Sequence, residues 1–71
     1  MTAPTQTDTL EQDRRQAERY GALAVRTLRF LRAGIRAGFS RQQARRYEEE
    51  AIRYACEAAR AARRLLEAGA A

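Results

Sequence analysis

Gly34-Ile35-Arg36-Ala37-Gly38-Phe39-Ser40-Arg41-Gln42-Gln43 (GIRAGFSRQQ, residues 34–43) is the stretch that decides the fold. Ser40 and Gln43 have the spacing of a capping box. In such a box the serine side chain accepts from the amide three residues on, and the glutamine reaches back to the serine amide. The apolar Phe39 just before the cap fixes the angle at which the chain enters the helix. A helix therefore starts at about Arg41. Gly38 is the natural stop for the helix before it, because Ile35 still continues that helix's apolar stripe. A break near Gly34, with Ile35 folding back on Phe30 in a Schellman-type cap, is the alternative.

On the N-terminal side, Leu10, Ala17, Tyr20, Gly21, Ala24, Leu28, Leu31 and Ile35 recur every three or four residues, which is one face of a helix over about 9–36. Gly21 and Gly34 each cost about 1 kcal/mol inside it. Residues 1–8 are polar and read as a flexible arm, with Thr7 or Asp8 as N-cap and Glu11 and Asp13 adding favourable charge to the first turn. On the C-terminal side, a second helix runs over about 41–68, with Gly69 as its stop and 69–71 as a tail. Its expected buried face is Ala44, Tyr47, Ala51, Tyr54, Ala58, Ala61, Ala62 and Leu65, on a near-heptad spacing.

The fold class is thus all-α: an antiparallel two-helix hairpin with a turn at about 37–40 and arms of roughly 40 Å. Tyr54 is expected near Gly21 or Ala24, and Ala58 near Tyr20, so that large side chains meet small ones. A hairpin of this size has little core, and Cys56, the single cysteine, rules out a disulfide within the chain. Completion of a bundle, by dimerisation or by docking on a partner, is the expected remedy. Leu23, Phe30, Val25, Ile52 and Leu66 fall off the main stripes, and Leu23 and Phe30, seven apart, are the candidate protein interface.

All basic residues are arginine, and the net charge of +5 is unevenly laid out. Residues 1–18 hold four acids and two arginines (−2), residues 19–47 eight arginines and no acid (+8), and residues 48–71 five acids and four arginines (−1). The pairs Arg45–Glu49, Arg46–Glu50 and Glu49–Arg53 are four apart and support a solvated helix. Arg19, Arg26, Arg29 and Arg36 have no acid close in sequence. Such a concentration attracts phosphates or an acidic protein surface. Arg26, Arg29, Arg36, Arg41, Gln42, Arg45 and Arg46 are the candidate contacts to an anionic partner.

Catalysis needs a nucleophile with a base, paired acids, a metal or a phosphate cradle. The chain has no histidine, no paired thiols and no glycine-rich loop, so no catalytic, cofactor or metal site is expected. Consecutive helix residues such as Glu48-Glu49-Glu50 point in three directions. Cys56 lies between Arg53 and Arg60 and reads as an inert thiol; the three tyrosines read as packing residues. No run approaches the 18 or so apolar residues of a membrane span, and a membrane-surface role for residues 21–35 is disfavoured because their apolar face already matches the second helix.

The expected function is therefore non-enzymatic: a structural or interaction protein that binds another protein or itself through an apolar helix face and a basic turn region. Lysine-free, alanine-rich composition suits a GC-rich source and a small phage-encoded or virion-associated protein, cytoplasmic or carried in a viral particle. The alternative is a nucleic-acid-binding module that uses the Arg/Gln-rich start of the second helix. No small-molecule substrate is expected.

Overall fold

The computed structural model describes residues 6–69 and contains two helices, α1 (Gln6–Ala37) and α2 (Arg41–Glu67), packed side by side as a hairpin. Residues 1–5 of the expected arm and 70–71 of the expected tail lie outside the described residues. Thr7 and Asp8 lie within α1 rather than capping it. Acidic residues favour the positive end of the helix dipole from either place.

The turn follows from local chemistry. Gly38 adopts φ 105°, a conformation L side chains rarely enter, and stops α1 there rather than at Gly34. The Phe39 amide donates to the Gly34 carbonyl at 2.8 Å and the Gly38 amide to the Ile35 carbonyl at 3.2 Å, the paired bonds of a Schellman ending. Only Gly38, Phe39 and Ser40 separate the helices. The capping box is present: the Gln43 amide donates to Ser40 Oγ at 3.2 Å, and the Ser40 amide to Gln43 Oε1 at 3.0 Å. Helix α1 runs unbroken through Gly34. It is Phe39, not Ile35, that folds back, and its ring lies where a Cβ on residue 34 would be. Phe39, Phe30 and Tyr47 then close into a cluster with ring centroids 5.0–5.7 Å apart.

The seam between the helices keeps a strict alternation of three and four residues. Leu10, Asp13, Ala17, Tyr20, Ala24, Thr27, Leu31 and Gly34 face Ala44, Tyr47, Ala51, Tyr54, Ala58, Ala61 and Leu65, and all are buried or half-buried. This is the 3.5-residue period of a coiled coil. It corrects the expected stripe in α1. Leu28 and Ile35 are exposed (49% and 55%), while Thr27 and Gly34 take the inward places. Thr27 is tolerated there because its hydroxyl donates to the Leu23 carbonyl at 2.8 Å, and Gly34 because Phe39 needs the space. On α2, Ala62 is exposed rather than buried. Tyr54 stacks on Tyr20 at 6.2 Å instead of seating over Gly21, beside which a Cβ would meet nothing within 4 Å.

Asp13 is the second correction. Expected to serve the first turn, it is instead buried in the seam and accepts from Arg64 Nε at 2.9 Å; Arg64 Nη2 donates to Gln16 Oε1 at 3.1 Å. Aromatic packing thus fastens the turn end, and a charged cross-link fastens the other. Between them the core is thin. Among the described residues the buried apolar side chains are Ala24, Leu31, Ala51 and Ala61, and no large side chain is fully enclosed.

Thermal melts followed by circular dichroism test this account. Gly34→Ala gains about 1 kcal/mol of helix propensity but displaces the Phe39 ring, and overpacking of this kind costs about 1–3 kcal/mol, so a net loss of stability is expected. Gly38→Ala loses about 1 kcal/mol to backbone strain. Unchanged melts for both would refute the turn as described. Asp13→Ala costs about 1–2 kcal/mol, and a double-mutant cycle with Arg64→Ala returns a coupling of about 1 kcal/mol.

Candidate interaction surface

An antiparallel helix pair has two flanks beside its seam. In heptad letters, with Ala24, Leu31, Ala44 and Ala51 at a, the g positions of both helices share one flank and the e positions the other. The hydrogen bond between Arg64 and Gln16, both at g, confirms that pairing. The g flank is closed: Gln16, Leu23, Glu50 and Glu57 are half-buried, and Phe30 (51% exposed) turns its ring against Phe39 and Tyr47. Leu23 and Phe30, the residues expected to form an interface, therefore lie on this packed flank.

The e flank, with the neighbouring b positions, is open and carries an apolar run on each helix. Helix α1 contributes Gly21, Val25, Leu28 and Ile35; α2 contributes Ile52, Ala55, Ala59, Ala62 and Leu66. Val25, Leu28, Ile35, Ile52 and Leu66 are 49–62% exposed. The α1 run lies toward the turn and the α2 run toward the opposite end. They meet where Val25 stands level with Ile52, as the flanking ring pairs Tyr20–Tyr54 and Phe30–Tyr47 require. The apolar surface thus crosses the hairpin diagonally. Sequence reasoning found Val25, Ile52 and Leu66 off the main stripes but missed Leu28 and Ile35 by assigning them to the seam. The signal was available: the run Leu10, Asp13, Ala17, Tyr20, Ala24, Thr27, Leu31, Gly34 alternates three and four without a slip, provided an aspartate and a threonine are admitted to it.

Arginines lie within this surface, at Arg32, and across the outer face next to it. Arg29 and Arg36 point directly away from the seam, and Arg32 interrupts the apolar run of α1. Arg19, Arg26 and Arg29 border a shallow depression lined by Gly21, Ala22, Leu23 and Val25, so Leu23 also reaches the outer face of α1. Gln42 and Arg46 line a smaller one with Gln43 and Tyr47. Arg36, Arg41 and Arg45 line neither. Arg45 approaches Glu49 at 3.8 Å between two exposed side chains, a pairing of little energetic weight. Among the described residues, Arg14, Arg19, Arg26, Arg29, Arg32, Arg36, Arg41, Arg46 and Arg53 have no ion pair, whereas Arg15, Arg60 and Arg63 pair with glutamates on their own helices.

Glu48, Glu49 and Glu50 diverge as expected of consecutive helix residues. Glu50 accepts from the Tyr54 hydroxyl at 3.1 Å, and that bond, with the carboxylate charge, raises the Tyr54 pKa above its ordinary value. Cys56 is exposed on the outer side of α2. Among the described residues no group of side chains has the composition of a metal site, and no helix is long and apolar enough to cross a membrane. No protein-family model, curated protein or solved structure matches the chain. The fold by itself defines a two-helix coiled-coil hairpin.

A cluster of unpaired like charges repels itself. Raising salt from low ionic strength to 0.15 M, where the screening length falls to about 8 Å, is expected to raise the melting temperature. Replacing Arg26, Arg29 and Arg36 together by alanine removes most of that gain and costs little stability, since none has a partner to lose. A melting temperature that falls with salt would contradict this.

Proposed function

We propose that the chain is a non-enzymatic interaction protein that associates through its open apolar flank and binds an acidic protein surface with the arginines around it. One observation carries the reading. A diagonal of large exposed apolar residues lies on one flank of a hairpin in which nine arginines lack ion pairs among the described residues. Surfaces of this kind are costly to leave bare, because apolar area in water and concentrated like charge both disfavour the isolated state. The thin core supports the same conclusion, since a two-helix unit with few buried side chains gains much of its stability from what it docks against.

Nucleic acid is the second reading, and the groove of Gln42, Gln43, Arg46 and Tyr47 at the start of α2 favours it. Against it, the capping box engages the Gln43 side chain, and the two helices form a long antiparallel pair with no third helix among the described residues. A helix-turn-helix reader needs such a helix to complete its core.

Titration of the purified chain with poly-L-glutamate and with duplex DNA, at low and high salt, separates the readings. The proposed function predicts binding to poly-L-glutamate, weakened by Arg26→Ala, Arg29→Ala and Arg36→Ala. DNA affinity that falls steeply with salt and is lost on Gln42→Ala with Arg46→Ala would favour the second reading. Indifference to both polyanions would refute a role for the arginines.

A further inference from the structure

We infer that the open apolar flank is covered by a second copy of this chain, giving an antiparallel four-helix bundle. The inference rests on the proposed function and names the occupant of the apolar flank. Three features of the flank are self-complementary.

The first is charge. Reading along the b positions of α1, the flank presents Glu11, Glu18, Val25 and Arg32. When two copies meet antiparallel about Val25, Glu18 of each faces Arg32 of the other, and the twofold axis makes that pair twice. Arg32, which interrupts the apolar run and has no ion pair among the described residues, gains a partner. Arg14, an e position, lies on the same flank level with Arg36 of the second copy, a repulsion set against the two Glu18–Arg32 pairs.

The second is shape. Gly21 sits inside α1 at a cost of about 1 kcal/mol relative to alanine, yet within the hairpin nothing approaches it: a Cβ there would meet no atom within 4 Å. In the antiparallel arrangement Leu28 of the second copy lies level with Gly21 and Ala22. A large exposed side chain then seats in a gap that the hairpin leaves empty. Val25 and Ile52, level with each other in the hairpin, meet their own counterparts across the axis.

The third is area. The chain is a flat slab with backbone extents of 52 × 26 × 14 Å. A two-helix footprint of about 40 × 20 Å amounts to on the order of 800 Å² per copy, the size of a standard stable interface.

Sedimentation equilibrium of the full chain over a wide concentration range, with far-ultraviolet circular dichroism on the same samples, tests the inference. A dimer is expected. Gly21→Leu fills the seat for Leu28 while leaving the hairpin's own contacts untouched; it should weaken the dimer on the order of 100-fold, because a twofold interface feels each substitution twice, and keep the helix content. Glu18→Arg and Arg32→Glu should each weaken the dimer, and the two together should restore it. A chain that stays monomeric and helical at all concentrations would overturn the inference, as would a dimer indifferent to Gly21→Leu and to the charge reversals. Loss of poly-L-glutamate binding with the dimer intact would instead count against the arginine role and leave the dimer standing.

Discussion

The ring of Phe39 lying against Gly34 is the contact on which the rest of the structure depends. Because residue 34 has no side chain, the ring reaches the α1 backbone, and the Phe39 amide closes its bond to the Gly34 carbonyl. That bond and the positive φ of Gly38 end α1, and Ser40 caps the next helix two residues later. With so short a connection, α2 has one way to lie back along α1, and Phe30 and Tyr47 hold it there through ring contacts. Register follows from this, and register decides which side chains enter the seam and which are left outside.

The seam that results is built mainly from alanines, with tyrosines, leucines and one buried aspartate, Asp13, whose ion-pair partner Arg64 stands at the edge. Small side chains let the helices approach closely but bury little apolar area apiece, so the hydrophobic contribution at about 25 cal/mol per Å² is modest. The Asp13–Arg64 pair holds the end away from the turn. A buried carboxylate with a half-exposed guanidinium is weak evidence for stability and better evidence for specificity, because a slipped register would leave the aspartate buried alone. The hairpin is thus well specified and lightly stabilised, a combination that suits a unit completed by association.

Charge and apolar surface divide along the same geometry. The arginines of residues 19–47 crowd the outer face of α1 and the start of α2, while the glutamates lie mostly beyond Tyr47. Folding the chain back on itself does not neutralise the cluster, since Glu49, Glu57 and Glu67 pair within α2 and Glu50 engages a tyrosine hydroxyl. The unpaired positive charge is therefore a property of the folded surface as well as of the sequence.

Local chemistry was legible in the sequence. The helical class, the stop at Gly38, the capping box of Ser40 and Gln43, and nearly all of the α2 packing face follow from residue types and spacings that act within one or two turns. The inward face of α1 was not legible in the same way. Hydrophobicity ranks Leu28 above Thr27 and Ile35 above Gly34, and a straight helix of 3.6 residues per turn accommodates either choice. Supercoiling against a particular partner imposes a period of 3.5, and Phe39 claims the space at residue 34. Both are relations between segments far apart in the chain. The same holds for Asp13, whose partner lies 51 residues away, and for the apolar flank, which exists only once two separate runs are set side by side. The two helices and the turn follow from residues near one another in the chain, because their hydrogen bonds are local. Which faces meet and which remain open is settled by the packing of α1 on α2, because that choice rests on contacts no single segment contains.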